Sequence, residues 1–319
     1  MKKNSFKKII IVLLLIVTLT GCTKQLKTED NKVVQNEKTG QSITENILCR
    51  PTSDELIKIY EENGKDLSKL PECNKMPIGG EYEGLWTNIF VKPLAFIIIK
   101  LAKLVGNAGL SLIIVTFAIR LLLFPLTRKT AMQSEVIKEA QPELTRIEKK
   151  YADKTDQESQ NQKAQEMMMV YKKYNINPLS GCLFALIQLP LLFAFLEAIN
   201  RVPAIFEGKF LYLEMGKTPW VAITSGAWYY IILVILIVGT TFLSFKMNKS
   251  TASPELEKQN KMTMIFMTVF IGFASFTLPT AIAIYWITSS AFTILQNLIT
   301  DKSLRRRKKW INKNLKEKL

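Results

Sequence analysis

Between Ala108 and Leu126 the chain reads AGLSLIIVTFAIRLLLFPL, with one charge in it, Arg120. A stretch of this kind is long enough to cross a bilayer, which takes about 20 mostly apolar residues. An arginine inside such a span costs on the order of 3 kcal/mol on insertion scales. It cannot escape by losing its proton, because its pKa lies above about 12. The fold must therefore give Arg120 either a partner or water.

The rest of the chain repeats the pattern of long apolar blocks, too long for an ordinary soluble core, so the class is membrane protein. Histidine is absent from the 319 residues, which removes the commonest general base and metal ligand. Cys22, Cys49, Cys73 and Cys182 are too dispersed for a zinc site. No Gly-rich phosphate loop and no Ser-His-Asp set can be assembled. The expectation is a protein that is not an enzyme and needs no cofactor.

Residues 1–21 carry four lysines before an apolar run from Ile9 to Leu19, the order of an export signal. The run ends Leu19-Thr20-Gly21-Cys22, which resembles a bacterial lipobox and would make Cys22 the lipidated first residue. A first transmembrane helix is the alternative. Residues 22–84 are polar, and their first half is too poor in large apolar residues to fold alone, so it reads as a tether. A short helix capped by Ser53 fits Asp54–Asn63. Cys49 and Cys73 flank it, and a disulfide between them is permitted outside the cytoplasm. Residues 85–105 are apolar but carry Lys92, Lys100 and Lys103 on one arc, which reads as an amphipathic helix in the outer interface; a sixth span is the alternative.

The first span covers 108–126. Residues 127–177 then form a polar block in which Ile137, Ala140, Leu144, Ile147 and Tyr151, and again Ala164, Met167, Tyr171 and Tyr174, recur at spacings of three and four. With the break ADKTDQES between them, this reads as an antiparallel helical hairpin. Further spans are expected at 178–200, 228–245, 262–278 and 281–300, separated by a loop at 201–227, a basic loop at 246–261 and a turn at Pro279. A tail with nine basic residues covers 301–319. An N-out, C-in orientation puts 23 Lys/Arg in the hairpin, the 246–261 loop and the tail on the cytoplasmic side, and three in the 201–227 loop outside, as the positive-inside rule requires. The fold expected is thus an all-α membrane protein: five transmembrane helices around a hydrophilic groove, with a cytoplasmic hairpin and an outer interfacial helix.

In that topology Arg120 lies roughly 10 Å from the cytoplasmic end of its span, and Glu197 roughly 28 Å from the cytoplasmic start of the second. Glu197 is the one acidic residue expected within a span, and a gap of some 18 Å rules it out as a partner in straight helices. Arg120 either snorkels to the inner headgroups or faces a wet cavity inside the bundle. Thr116, Gln188, Thr240, Thr241, Ser289, Ser290 and Gln296 are the polar groups available to share such a cavity.

The stretches GLSLIIVTFAIRLLLFPLTRK (109–129), NPLSGCLFALIQLPLLFAF (177–195) and IYWITSSAFTILQN (284–297), in this order around the polar hairpin, resemble the YidC/Oxa/Alb family of membrane-protein insertases. The lipobox and short outer region are similar to those of its Gram-positive members. The resemblance implies a groove open to cytoplasm and lipid, whose signature arginine maps to Arg120, with Gln188 and Trp286 as candidate lining. It implies that nascent membrane proteins are the clients, received by the hairpin, and that the protein acts alone or beside the Sec translocon. The basic tail suits anionic lipids and ribosomal RNA phosphates. The rival readings are a secondary transporter or channel, and a lipoprotein scaffold. Deletion of residues 24–80 should spare an insertase and disable a scaffold.

Overall fold

Capping residues and left-handed turns begin and end most helices of this chain where the sequence marks them. The structure is a computed structural model and describes residues 23–79, 82–176, 180–247 and 254–316. The export signal, Cys22 and the Asn177-Pro178 start of the second expected span lie outside the described residues. The elements are α1 (Asp54–Glu62), α2 (Lys92–Val105), α3 (Ala108–Lys150), α4 (Gln157–Lys173), α5 (Ser180–Arg201) and α6 (Pro203–Phe206). After them come the short strands β1 (Lys209–Phe210) and β2 (Leu213–Glu214), then α7 (Pro219–Thr224), α8 (Ile231–Met247), α9 (Pro254–Thr277) and α10 (Thr280–Lys316). Among the described residues, three stretches are long and apolar enough to cross a membrane: Ala108–Arg128, Trp228–Met247 and Thr280–Lys302. Lys261–Thr277 is apolar but shorter.

The chain forms two compact units: residues up to Ile119 with Leu186–Val238 and Ile271–Ser289, and Arg120–Ala185 with Gly239–Phe270 and the chain from Ser290 onward. The first has a large apolar core, in which Leu94, Ala95, Ile98 and Ile99 of α2 meet Leu112 and Val115 of α3, Phe195 and Ile199 of α5, and Ile282 and Tyr285 of α10. The Phe195 and Tyr285 rings stack at 4.3 Å. α2 ends at Gly106, whose φ of 72° is the left-handed conformation that glycine adopts without strain. Asn107 then starts α3 by accepting the Leu110 amide at 3.0 Å.

Two expectations fail in this unit. The stretch read as a tether is ordered. Leu26 pairs through its backbone with both Ile43 and Val34, and Ile43 with Val34, each at 2.8–2.9 Å. Leu26 and Ile43 are buried in a cluster with Leu56 and Tyr60 of α1 and Phe206 of α6. The composition argument was sound for the stretch in isolation; what it lacked were apolar partners some 15 and 165 residues further along. The second failure concerns Lys92, which does not share a solvated face with Lys100. It is 5% exposed and pairs with Glu83 at 3.3 Å. A widened turn of π type at Thr87–Val91 leads into α2, and the residues just before it supply this acidic partner. Ile89, Phe90, Ile97 and Leu104 remain exposed, so the 85–105 segment has one apolar face in the core and another outside it.

The second unit holds the hairpin. α3 does not stop at Leu126 but continues to Lys150 through Pro125 and Pro142. A proline removes one helical hydrogen bond without ending a long helix whose freed carbonyls find other donors. Next to the first proline, the Thr127 hydroxyl lies 3.2 Å from the Leu123 and Phe124 carbonyls. α4 begins at the Asp156 cap, whose carboxylate accepts the Ser159 amide at 2.8 Å. Ile137, Ala140 and Leu144 of α3 pack against Val170 and Ile176, with Ile147, Met167, Tyr171 and Tyr174 around them.

Candidate functional site

Arg120 lies in the second unit, and Gln188 and Trp286 lie in the first. Each is therefore described within its own unit.

In the second unit the guanidinium of Arg120 is engaged by its surroundings and is 6% exposed. The spans of the unit it belongs to have an unusual interior for apolar helices. Among the described residues of the span helices there, those buried besides Arg120 are mainly polar: Thr127, Thr241, Thr268, Ser290, Thr293, Gln296, Asn297 and Thr300, with Phe292 as the apolar one. The Thr127 hydroxyl donates to Gln296 Oε1 at 2.9 Å, tying α3 to α10. Ser290, Thr293, Gln296, Asn297 and Thr300 recur at spacings of three and four. They form one polar face of a helix that carries no charge from 281 to 300. The sequence reading picked out Thr241, Ser290 and Gln296 but missed Thr127, Thr293 and Asn297; that spacing was the signal for Thr293 and Asn297.

In the first unit, Gln188 sits half-buried on α5. Its Oε1 is buried and has no hydrogen-bond partner. A buried acceptor left unmatched costs about 1–3 kcal/mol, so it marks a place where water or a visiting polar group belongs. Trp286 is half-buried on α10 and engaged in a contact of its own.

The acidic residue expected to stand alone, Glu197, has partners in the same unit. Trp86 Nε1 donates to it at 3.2 Å, and Arg201 approaches to 3.8 Å from one turn further along α5. Arg201 is 1% exposed. It also donates to the Asn46 carbonyl at 2.7 Å, to Thr87 at 3.4 Å and to Glu83. Sequence reasoning had placed Arg201 in an external loop, because it follows the apolar run directly and its partners Glu83 and the Asn46 carbonyl are distant in the chain. Cys49 and Cys73 are joined by a disulfide in the same region, both buried.

The hairpin carries two matched clamps. Glu143 of α3 accepts from Lys173 Nζ at 2.6 Å and Tyr174 OH at 2.7 Å. Glu166 of α4 accepts from Lys150 Nζ at 2.5 Å and Tyr151 OH at 3.0 Å. The lysine bonds, followed by the tyrosine bonds, hold both carboxyls below the usual glutamate range. Each lysine is pushed up by the carboxylate it meets.

A model of the family described as 60Kd inner membrane protein matches residues 100–308. The chain is 36% identical over 248 residues to a protein of Oceanobacillus iheyensis named membrane protein insertase YidC, covering 76% of this chain and 93% of that one. A protein of the same name from Alkalihalophilus pseudofirmus is 37% identical over 231 residues, covering 72% of this chain and 86% of that one. Membrane protein insertase MisCA of Bacillus subtilis is 35% identical over 227 residues, with 70% and 82% covered. Residues 23–79, with the Cys49–Cys73 disulfide, precede the range that the family model matches.

Proposed function

The chain belongs to the YidC/Oxa/Alb family of membrane-protein insertases, and on that premise we propose that it inserts nascent membrane proteins along a polar lining served by Arg120. Five spans, N-out and C-in, with the hairpin and basic tail in the cytoplasm and a lipid on Cys22, complete the proposed topology.

The observation that carries the reading is the polar interior of the spans in the second unit. Hydrocarbon offers no hydrogen bonds, so a hydrophilic tail crossing it alone leaves every polar group unmet. A cation that cannot be neutralised, set among hydroxyls and amides, lowers that cost for an acidic tail. The unmatched Gln188 oxygen supports a wet lining in the first unit as well. The client's apolar segment then partitions into lipid, which is the driving force, and no nucleotide enters. Clients arrive at the hairpin from the ribosome or beside the Sec translocon, and the basic tail rests on anionic headgroups.

The test is reconstitution in liposomes with a small single-span client bearing an acidic N-terminal tail. The protein should raise protease protection of that tail above empty liposomes, and no rise would refute insertion. Arg120→Ala should slow the acidic-tailed client more than a neutral-tailed one, while Arg120→Lys preserves the difference. An equal loss for both clients would remove the charge from the mechanism.

A further inference from the structure

The first unit holds a cavity of about 590 Å³ that the insertion reading does not use. Ile113 of α3, Ile232 and Leu236 of α8, and Ile284 of α10 form its walls, and Phe210, Leu211 and Tyr212 of the β1–β2 hairpin close one end. Its volume falls within the range of roughly 300–1,000 Å³ typical of small-ligand sites.

The hairpin tip is built against ordinary hairpin practice. A two-residue turn normally takes Asn-Gly or a similar pair, because the central residues need positive φ. Here the tip is Leu211-Tyr212, and Leu211 has φ 55°, a conformation that costs an L side chain about 1–2 kcal/mol. Both tip side chains are strongly exposed, Leu211 at 76% and Tyr212 at 88%. A strained turn that spends two large apolar side chains on the surface suits an oily neighbour rather than water.

The lining also decides between occupants. The Thr288 hydroxyl is spent on the Ile284 carbonyl at 2.8 Å, and the Tyr229 hydroxyl faces the Tyr212 carbonyl at 3.5 Å. The remaining side chains that line it are apolar, apart from the Tyr212 hydroxyl. A polypeptide entering would leave backbone groups unmet, whereas a hydrocarbon chain has none to meet. Lys209, next to Phe210, is exposed, and no carboxylate pairs with it among the described residues. Its backbone carbonyl is fixed by Asn107 Nδ2 at 2.9 Å. Across the strand pair Glu214 stands opposite Lys209 but meets Lys217 at 4.0 Å, so Lys209 brings a cation next to the lining residue Phe210.

We propose that this cavity binds one acyl chain of a membrane phospholipid, roofed by the Leu211-Tyr212 tip, with the lipid phosphate attracted to Lys209. The proposal rests on the chain being embedded in a membrane, and it does not require insertion activity.

The full-length protein in phosphatidylglycerol nanodiscs, with a small share of lipid carrying a diazirine on one acyl chain, provides the test. After photolysis, adducts should concentrate on peptides containing Phe210–Leu213 and Ile232–Leu236, severalfold above the exposed Phe266–Phe273 face of α9. Ile232→Trp or Leu236→Trp, each at an exposed lining position, should fill the slot and remove that enrichment while leaving the α9 labelling unchanged. Lys209→Glu should reduce it severalfold. Labelling no denser than on α9, or undiminished in both tryptophan variants, overturns the site. So does labelling of the cavity by a photoreactive client helix in preference to lipid. None of these readouts depends on whether the protein inserts clients.

Discussion

Truncating Arg201 to alanine tests whether its ion network secures the first unit. Arg201 is 1% exposed and meets four groups from three segments: the Asn46 carbonyl, Thr87, Glu83 and Glu197. Their losses are unequal. Glu83 is about a third exposed and keeps Lys92 at 3.3 Å, so it contributes little. Glu197, with 5% of its side chain exposed, keeps the Trp86 N–H and, among the described residues, no cation. Breaking a buried pair by removing one partner costs about 3–5 kcal/mol, and that range is the expected loss for Arg201→Ala. Glu197→Gln in the Arg201→Ala background keeps an acceptor for Trp86 and removes the stranded charge. It should recover about 0.5–3 kcal/mol, the usual size of coupling between residues in contact. Equilibrium unfolding in mixed micelles, with pulsed proteolysis of residues 23–79 as a second readout, measures both. An Arg201→Ala loss below about 0.5 kcal/mol, the size of an ordinary surface change, would refute the reasoning. So would a Glu197→Gln change that deepens the loss.

Replacing both Cys49 and Cys73 by serine should cost about 2–4 kcal/mol; because both cysteines are buried, reductant should act on the native protein only after local unfolding, and instant reduction at low temperature would contradict this. At Gly109, an added Cβ would sit 2.5 Å from Phe210 Cβ and 2.6 Å from its Cγ, so Gly109→Ala should destabilise by about 1–3 kcal/mol, with Phe210→Gly, which removes both atoms, relieving the clash in a thermal-unfolding series. The hairpin clamps predict a plateau of amide protection. Because Glu143 and Glu166 are lowered from 4.5, their contribution is complete above the ordinary glutamate range and is lost as pH falls through their lowered values; because Lys150 and Lys173 are raised from 10.5, theirs is complete below the ordinary lysine range and is lost only as pH rises past their raised values. Hydrogen exchange across pH should show both edges, and Glu143→Gln together with Glu166→Gln should erase the acidic one. Deleting residues 24–80 removes Leu48, Cys49, Cys73 and Met76 from the main apolar core of the first unit, so the truncated protein should melt earlier in detergent, a cost in stability separate from the expected retention of insertase activity.

Periodicity and caps made much of the helical layout legible. The hairpin seam from Ile137 to Tyr174 could be read because its partners repeat every three or four residues in two nearby arms. Single side chains were harder, because their surroundings come from remote segments. Lys92 belongs on a polar arc by angle alone, yet Glu83 meets it and it is buried. Arg201 looks like a loop cation until Asn46 and Glu83, more than a hundred residues earlier, close around it. The ordered 23–45 stretch was hidden for the same reason, since its core is completed by Tyr60 and Phe206. The continuity of α3 past Leu126 was obscured by Pro125 and by an abrupt change from apolar to polar composition, and neither interrupts a helix as long as this one. For Arg120, sequence supplied the position and the cost of its charge; its burial, and that of the polar side chains in the same unit, needed coordinates.

That unbroken α3 has a mechanical consequence. From Arg120 to Lys150 the second unit contains a single rod of about 45 Å, at 1.5 Å rise per residue. If clients are received at the hairpin as proposed, a push at its Lys150–Glu166 end acts on the same helix that carries Arg120. Pro142 and Pro125, each a weak joint in the backbone hydrogen-bond ladder, set where along that lever the strain is absorbed.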